Sequence, residues 1–175
     1  LTLAAYADHF EYLWLRSNLN KPGTGRDYMA QLNYSAFRAT MYVRFRYQER
    51  LRSMPTDQTI QTAAMEERTA VRWHGTLPVT EKLTLQTRVE WVAARQSAAT
   101  EQGVLAFIGA NFRLRQKWQL KLRYTVFDTK SYASAIWAFE DDVPYSFSVP
   151  AFYQNGSKWY AMLTWQAREN VEFWL

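Results

Sequence analysis

Trp118-Gln119-Leu120-Lys121-Leu122-Arg123-Tyr124-Thr125-Val126 alternates without a break. Successive side chains of an extended strand point to opposite faces. Trp118, Leu120, Leu122, Tyr124 and Val126 therefore share one face, and Gln119, Lys121, Arg123 and Thr125 the other. A strand that is oily on one side and charged on the other suits a β-barrel with an apolar exterior and a polar interior, the design of outer-membrane proteins. The same alternation runs through most of the chain. Its apolar faces read Tyr28, Ala30, Leu32, Tyr34; Met41, Val43, Phe45, Tyr47; Leu83, Leu85, Thr87, Val89, Trp91; Val104, Ala106, Ile108, Ala110, Phe112, Leu114; and Trp159, Ala161, Leu163, Trp165.

The pattern predicts strands near 2–15, 26–34, 39–51, 62–74, 83–95, 103–114, 118–128, 157–166 and from 171 onward. Most are about as long as a tilted strand needs to cross a bilayer, roughly 9–11 residues, and longer than the ~5–6 typical of soluble sheets. The fold class expected is all-β, an antiparallel transmembrane barrel. Because the sequence reads as strand at both ends, it is expected to be an incomplete portion of a larger barrel or chain, a single barrel region over 1–175.

The connections at 35–38, 75–81, 115–117 and 167–170 form a shorter set, and those at 16–25, 52–61, 96–102 and 129–156 are mostly longer. The two sets alternate, with a tie between 75–81 and 96–102. Outer-membrane barrels have short periplasmic turns and long external loops, so the short set is expected on the periplasmic side. Trp73, Trp118 and Trp165 then fall near periplasmic ends, and Trp14, Trp91 and Trp159 near external ends. Indoles prefer the headgroup level, so these six are read as membrane-interface aromatics. Asp8 and Glu67 fall on the expected lipid face, where an acid at mid-depth costs on the order of 2 kcal/mol or less.

Composition agrees. Of 175 residues, 17% are aromatic, with 8 Trp, 11 Tyr and 10 Phe. Mean hydropathy is −0.40, and no apolar run is long enough for a membrane helix. There is no cysteine, so disulfide and thiolate chemistry are excluded. The net charge of +5 suits basic side chains lining a barrel interior beside Glu and Asp. The expected lumen face holds Arg44, Arg46, Arg68, Arg72, Arg88, Glu90, Lys121 and Arg123, with His9, Glu11, Glu66, Gln31, Asn33 and Gln48. It reads either as a pore lining that selects anions or as an ion-pair ladder that stiffens the barrel.

The segment 132–156 is too long and too aromatic for a simple turn. Pro144 and Pro150 break regular pairing, and Asn155-Gly156 signals a turn. A long segment of this kind is often functional. Trp137, Tyr145, Phe147, Phe152 and Tyr153 are read as its contact residues. It either folds over the barrel mouth, docks a partner, or forms its own small apolar cluster.

Chemistry-bearing motifs are few. His9 and His74 are the two histidines, and no Gly-rich phosphate loop or HExxH pattern is present. The expectation is no enzyme, no catalytic residue, no cofactor and no metal.

The run Glu140-Asp141-Asp142-Val143-Pro144-Tyr145-Ser146-Phe147-Ser148-Val149-Pro150-Ala151-Phe152-Tyr153, followed by a Gly and an aromatic strand, resembles the C-terminal barrel of certain Bacteroidota envelope proteins. So does the stretch from Tyr6-Ala7-Asp8-His9-Phe10 through Trp14-Leu15-Arg16 to Pro22-Gly23. Those proteins carry helix-hairpin-helix, DNA-uptake-like repeats before the barrel. The resemblance implies the outer membrane of a Gram-negative bacterium and a larger polypeptide. It transfers no catalytic residue, and nucleic acid would enter only through a domain outside these residues. The partners expected are outer-membrane lipid, lipopolysaccharide and other envelope proteins. The leading expectation is a barrel serving as membrane anchor or as subunit of an envelope transport or secretion assembly. A passive, anion-preferring channel and a soluble lipocalin-like ligand-binding barrel are the alternatives.

Overall fold

Alternating β-branched, aromatic and charged residues cannot bury a helical stripe, but they line the two faces of a pleated sheet. The computed structural model describes residues 1–15, 22–54, 62–96, 99–115, 117–143, 148–168 and 171–174. The strands are β1 (Thr2–Tyr12), β2 (Gly23–Ala36), β3 (Ala39–Met54), β4 (Thr62–Pro78), β5 (Leu83–Gln96), β6 (Ala99–Arg115) and β7 (Trp118–Thr129). A 3-10 turn at Tyr132–Ser134 follows, then β8 (Ile136–Trp137), β9 (Ala151–Phe152), β10 (Asn155–Arg168) and β11 (Val171–Trp174).

Nine strands form one antiparallel sheet in the order β1-β2-β3-β4-β5-β6-β7-β10-β11. The strands β8 and β9 pair separately as a small ribbon. Among the described residues β1 and β11 stand at the two edges and the sheet is not closed, as expected of an incomplete barrel.

Several strands run on beyond their expected ends, and one connection departs most from the sequence reading. The strands β5 and β6 pair up to Gln96↔Ala99, so the loop expected at 96–102 shrinks to residues 97–98. The turn at 79–82 is longer than that. It is pinned by Val79 N donating to the Leu83 carbonyl at 2.9 Å and Leu83 N donating to Thr80 Oγ1 at 3.0 Å. The β5–β6 hairpin extends because its tip supports the segment after β7: Ser131 Oγ donates to Glu101 on β6.

The outer face carries ordered cross-strand rows. Leu3, Leu32, Val43, Trp73, Val89, Ala106 and Val126 form one apolar row. At the long-loop end a charged row runs His9, Arg26, Glu49, Glu67, Arg95. Tyr28 and Tyr47 stack one row inside it, with ring centres 6.3 Å apart. Glu67 is on the outer face as expected, 3.9 Å from Arg95 and near the strand end, where a charge costs least. At the short-turn end Trp118 stacks on Trp165 at 5.3 Å, and Trp165 on Phe173 at 5.4 Å.

Candidate functional site

The inner face is the one that the segment between β7 and β10 covers. Ile136, Ala138 and Phe152 of that segment are buried against Val92 on β5 and Leu105 and Phe107 on β6. The segment thus folds inward against the barrel wall, an arrangement that the sequence reading did not include. Burying Ile136 and Phe152 stabilises the docked segment by about 1.5–3 kcal/mol each.

Polar contacts fix its position. Arg68 on β4 donates from Nη1 to the Ala133 carbonyl at 2.8 Å and from Nη2 to the Ala135 carbonyl at 2.5 Å. The same guanidinium lies 5.1 Å over the Trp137 ring. Lys121 on β7 pairs with Asp141 at 2.7 Å, and Arg123 donates to the Phe139 carbonyl at 2.6 Å. Lys158 on β10 pairs with Glu140 at 2.5 Å. Ser131 caps the 3-10 turn through the Ala133 amide. At Gly103 on β6 the backbone of the segment comes so close that a Cβ would meet the Ser134 carbonyl at 2.6 Å. Burial acts to raise the Asp141 pKa, but the Lys121 ammonium, the Tyr160 hydroxyl and Arg123 outweigh it. The carboxyl is held below the usual aspartate range.

Away from the segment, the inner wall is a ladder of arginines on buried carboxylates. Arg46 forks onto Asp27 at 2.5 and 3.0 Å. Arg50 and Arg52 converge on Glu66, which is only 1% exposed, at 3.0 and 2.9 Å. Arg72 forks onto Glu90 at 2.8 and 2.9 Å, with Arg88 3.7 Å from the same carboxylate. Arg44 donates to Gln31 at 2.6 Å. A cavity of about 310 Å³ runs along Arg44, Arg46, Arg50, Arg68 and Arg72 and ends at Trp137.

The eight expected lumen residues, Arg44, Arg46, Arg68, Arg72, Arg88, Glu90, Lys121 and Arg123, thus share the inner face. His9 and Glu11 do not. Asp8 pairs opposite Asp27, an inner-face residue, so Asp8 turns inward and His9 outward, where its Nε2 meets the Tyr28 hydroxyl at 2.7 Å. A one-residue change of register moves every side chain of a strand to the other face, and β1 has too little contrast between its faces to show which is which. Trp118 and Trp165 lie at the short-turn end. Trp73 has Gly75 and Leu77 beyond it, and Trp91 has Ala93 and Arg95, so both sit inside the apolar band. Trp159 lies outward near the long-loop end, and Trp14 follows β1, 85% exposed. Trp137 and Phe152 join the docked segment, and Tyr153 packs edge-on to Tyr132 at 5.6 Å. Tyr145 and Phe147 lie outside the described residues. Arg50, Arg52, Asp27, Glu140, Asp141 and Lys158 were missed. Extending the alternation Arg44, Arg46, Gln48 by two steps finds both arginines, whereas no periodic signal marks the acids of the segment.

No family model matches the chain, and no curated protein matches its sequence. Two solved structures share its fold. One is the outer-membrane expressed OmpT of Vibrio cholerae, at 14% identity and TM-score 0.60 over 92% of this chain and 50% of that one. The other is the in-vitro folded OmpT, an outer-membrane protein of the same organism, at 14% identity and TM-score 0.58 with the same coverage. The chain therefore spans about half the length of the structures it matches. The expectation of no enzyme is corrected by this likeness. It rested on missing sequence motifs, whereas chemistry on such a scaffold resides in groups that converge from different strands, and an enzyme is compatible with a fold shared with OmpT. What the inner wall and the comparisons establish together is the fold of an outer-membrane β-barrel, its sheet open among the described residues.

Proposed function

We propose that this chain forms part of the wall of an anion-preferring pore in the outer membrane of a Gram-negative bacterium. One observation carries the reading: the docked segment covers only part of the inner face and leaves the Arg46–Arg50–Arg52 part of the arginine ladder accessible. The Arg46 and Arg50 side chains are 41% and 46% exposed although their carboxylate partners are buried. Such a wall presents guanidinium charge to the lumen while its acids are hidden behind the ladder, which favours anions. A purely structural plug is expected to cover these groups. The outer face supports the membrane setting, with apolar rows bounded by a charged row that suits lipid or lipopolysaccharide headgroups.

The test is the reversal potential of the full-length protein in a planar bilayer under a potassium chloride gradient. Anion preference is expected, shifting toward cations in Arg44→Glu and Arg46→Glu. A folded protein that gives no conductance sinks the pore reading and leaves the anchor or assembly-subunit reading in its place.

A further inference from the structure

Below the docked segment, toward the short-turn end, a second cavity of about 280 Å³ lies between the inner wall and Phe139 and Asp141. Three groups converge around the Phe107 ring, which lines it. The Arg123 guanidinium carbon is 4.3 Å from the ring centre, that of Arg88 is 5.9 Å, and the His74 ring is 6.2 Å away. The Arg88 and Arg123 side chains are 11% and 7% exposed. Arg88 Nε, Arg123 Nε and His74 Nδ1 are buried without a hydrogen-bond partner among the described residues.

The carboxylates nearby are already engaged. Both Glu90 oxygens accept from Arg72, leaving Arg88 at 3.7 Å. Asp141 accepts from Lys121 and Tyr160, leaving Arg123 at 3.7 Å. Arginine nitrogens only donate, so what completes them is an acceptor. The local charge also selects its sign: Arg72, Arg88, Lys121 and Arg123 stand against Glu90 and Asp141. Gly109 on β6 keeps the wall low here, with an added Cβ falling 3.8 Å from Arg123 Nε.

We infer that this cavity is a discrete binding site for a small oxyanion, phosphate- or carboxylate-type, held by Arg88 and Arg123. The inference deepens the pore reading and rests on it for its role: a solute would pause at this site on its way past the segment. Binding itself is measurable without conductance, so the two readings fail separately.

The full-length protein, folded in detergent, is titrated with inorganic phosphate and, separately, with acetate in an isothermal calorimeter. Saturable binding of one anion per chain is expected. Arg88→Gln should weaken it about tenfold or more, the effect of removing one charged hydrogen bond. Arg123→Gln removes the second donor but also releases Phe139, so Gly109→Val, which fills the cavity and leaves every charge in place, is the companion variant and should abolish binding. Lys82→Gln, in the exposed turn at 79–82, lowers the net charge equally and should leave binding unchanged. Phosphate binding alone assigns a phosphoryl class, and binding of both anions assigns oxyanions generally. Binding of neither, or a loss of equal size in Lys82→Gln, overturns the site. An anion-selective pore with no binding keeps the pore and removes the site, and binding without conductance does the reverse.

Discussion

At the scale of single residues, buried carboxylates organise the inner wall. Glu90 neutralises two guanidiniums that are largely shielded from water. Removing one partner of a buried ion pair leaves an uncompensated charge and typically costs about 3–5 kcal/mol. Glu90→Gln is expected to approach the lower end, about 3 kcal/mol, read as a lowered urea midpoint for the protein folded into lipid vesicles. Glu66→Gln should cost less, because Arg50 and Arg52 remain within reach of water. Arg68 shows why the fork of arginine matters, since its two nitrogens hold two successive carbonyls of one turn. A lysine supplies a single point charge in place of that fork. Arg68→Lys should therefore loosen the segment while leaving the sheet intact, seen as faster proteolytic cleavage between 130 and 154 with unchanged far-UV circular dichroism.

At the scale of elements, the decisive unit is the 130–154 segment and the hairpins that receive it. Its close approach at Gly103 leaves no room for a side chain. Gly103→Val should undock the base of the segment, exposing it to protease as Arg68→Lys does but to a larger degree. Asp141 adds a pH dependence. Its pKa lies below the ordinary value of 3.8, so the ionised form is favoured by docking. That contribution is fully present above the ordinary aspartate range and is lost as the pH falls through the depressed folded value. Acid titration should release the segment below that range, and Asp141→Asn should show a weakened attachment already at neutral pH. The short turn between β2 and β3 is strained in a different way. Phe37 takes a positive φ of 53°, a conformation that costs most side chains roughly 1–2 kcal/mol and that asparagine tolerates. Phe37→Asn is expected to gain about 1 kcal/mol in the same urea experiment.

At the scale of the whole molecule, the nine sheet strands among the described residues run in simple meander order and expose two edges. Unpaired edges do not persist in a hydrocarbon environment, where every backbone group needs a partner. In the proposed membrane setting the edges at β1 and β11 therefore need partner strands. The inner face then divides into two regions. One is sealed by Ile136 and Phe152, and the other is lined by arginines of which Arg46 and Arg50 are the exposed members. On the proposed pore reading, current is expected to pass along the second region. Lowering the arginine charge there should change ion selectivity more than unitary conductance, whereas undocking the segment by Gly103→Val should raise conductance. Single-channel recording separates the two effects.

Much of this architecture was legible in the chain. A period of two residues is a local property, so the strands from β2 to β7, their outward faces and the arginine wall follow from alternation alone. Arg44, Arg46, Arg68, Arg72 and Arg88 lie where that period puts them. Local pattern stops where contrast stops. The strand β1 carries similar residues on both faces, so its pairing with β2 decided that Asp8 turns inward and His9 outward. The tip of β5–β6 reads as a loop until the contact of Glu101 with Ser131 gives it a reason to stay paired. The docking of 130–154 depends on residues far apart in sequence, with Val92, Leu105 and Phe107 meeting Ile136 and Phe152. Alternation determined which side of each strand is oily and which is charged. Only the tertiary structure decided which charges are buried, which are paired and which stay exposed, because those depend on what packs across the sheet from a distant part of the chain.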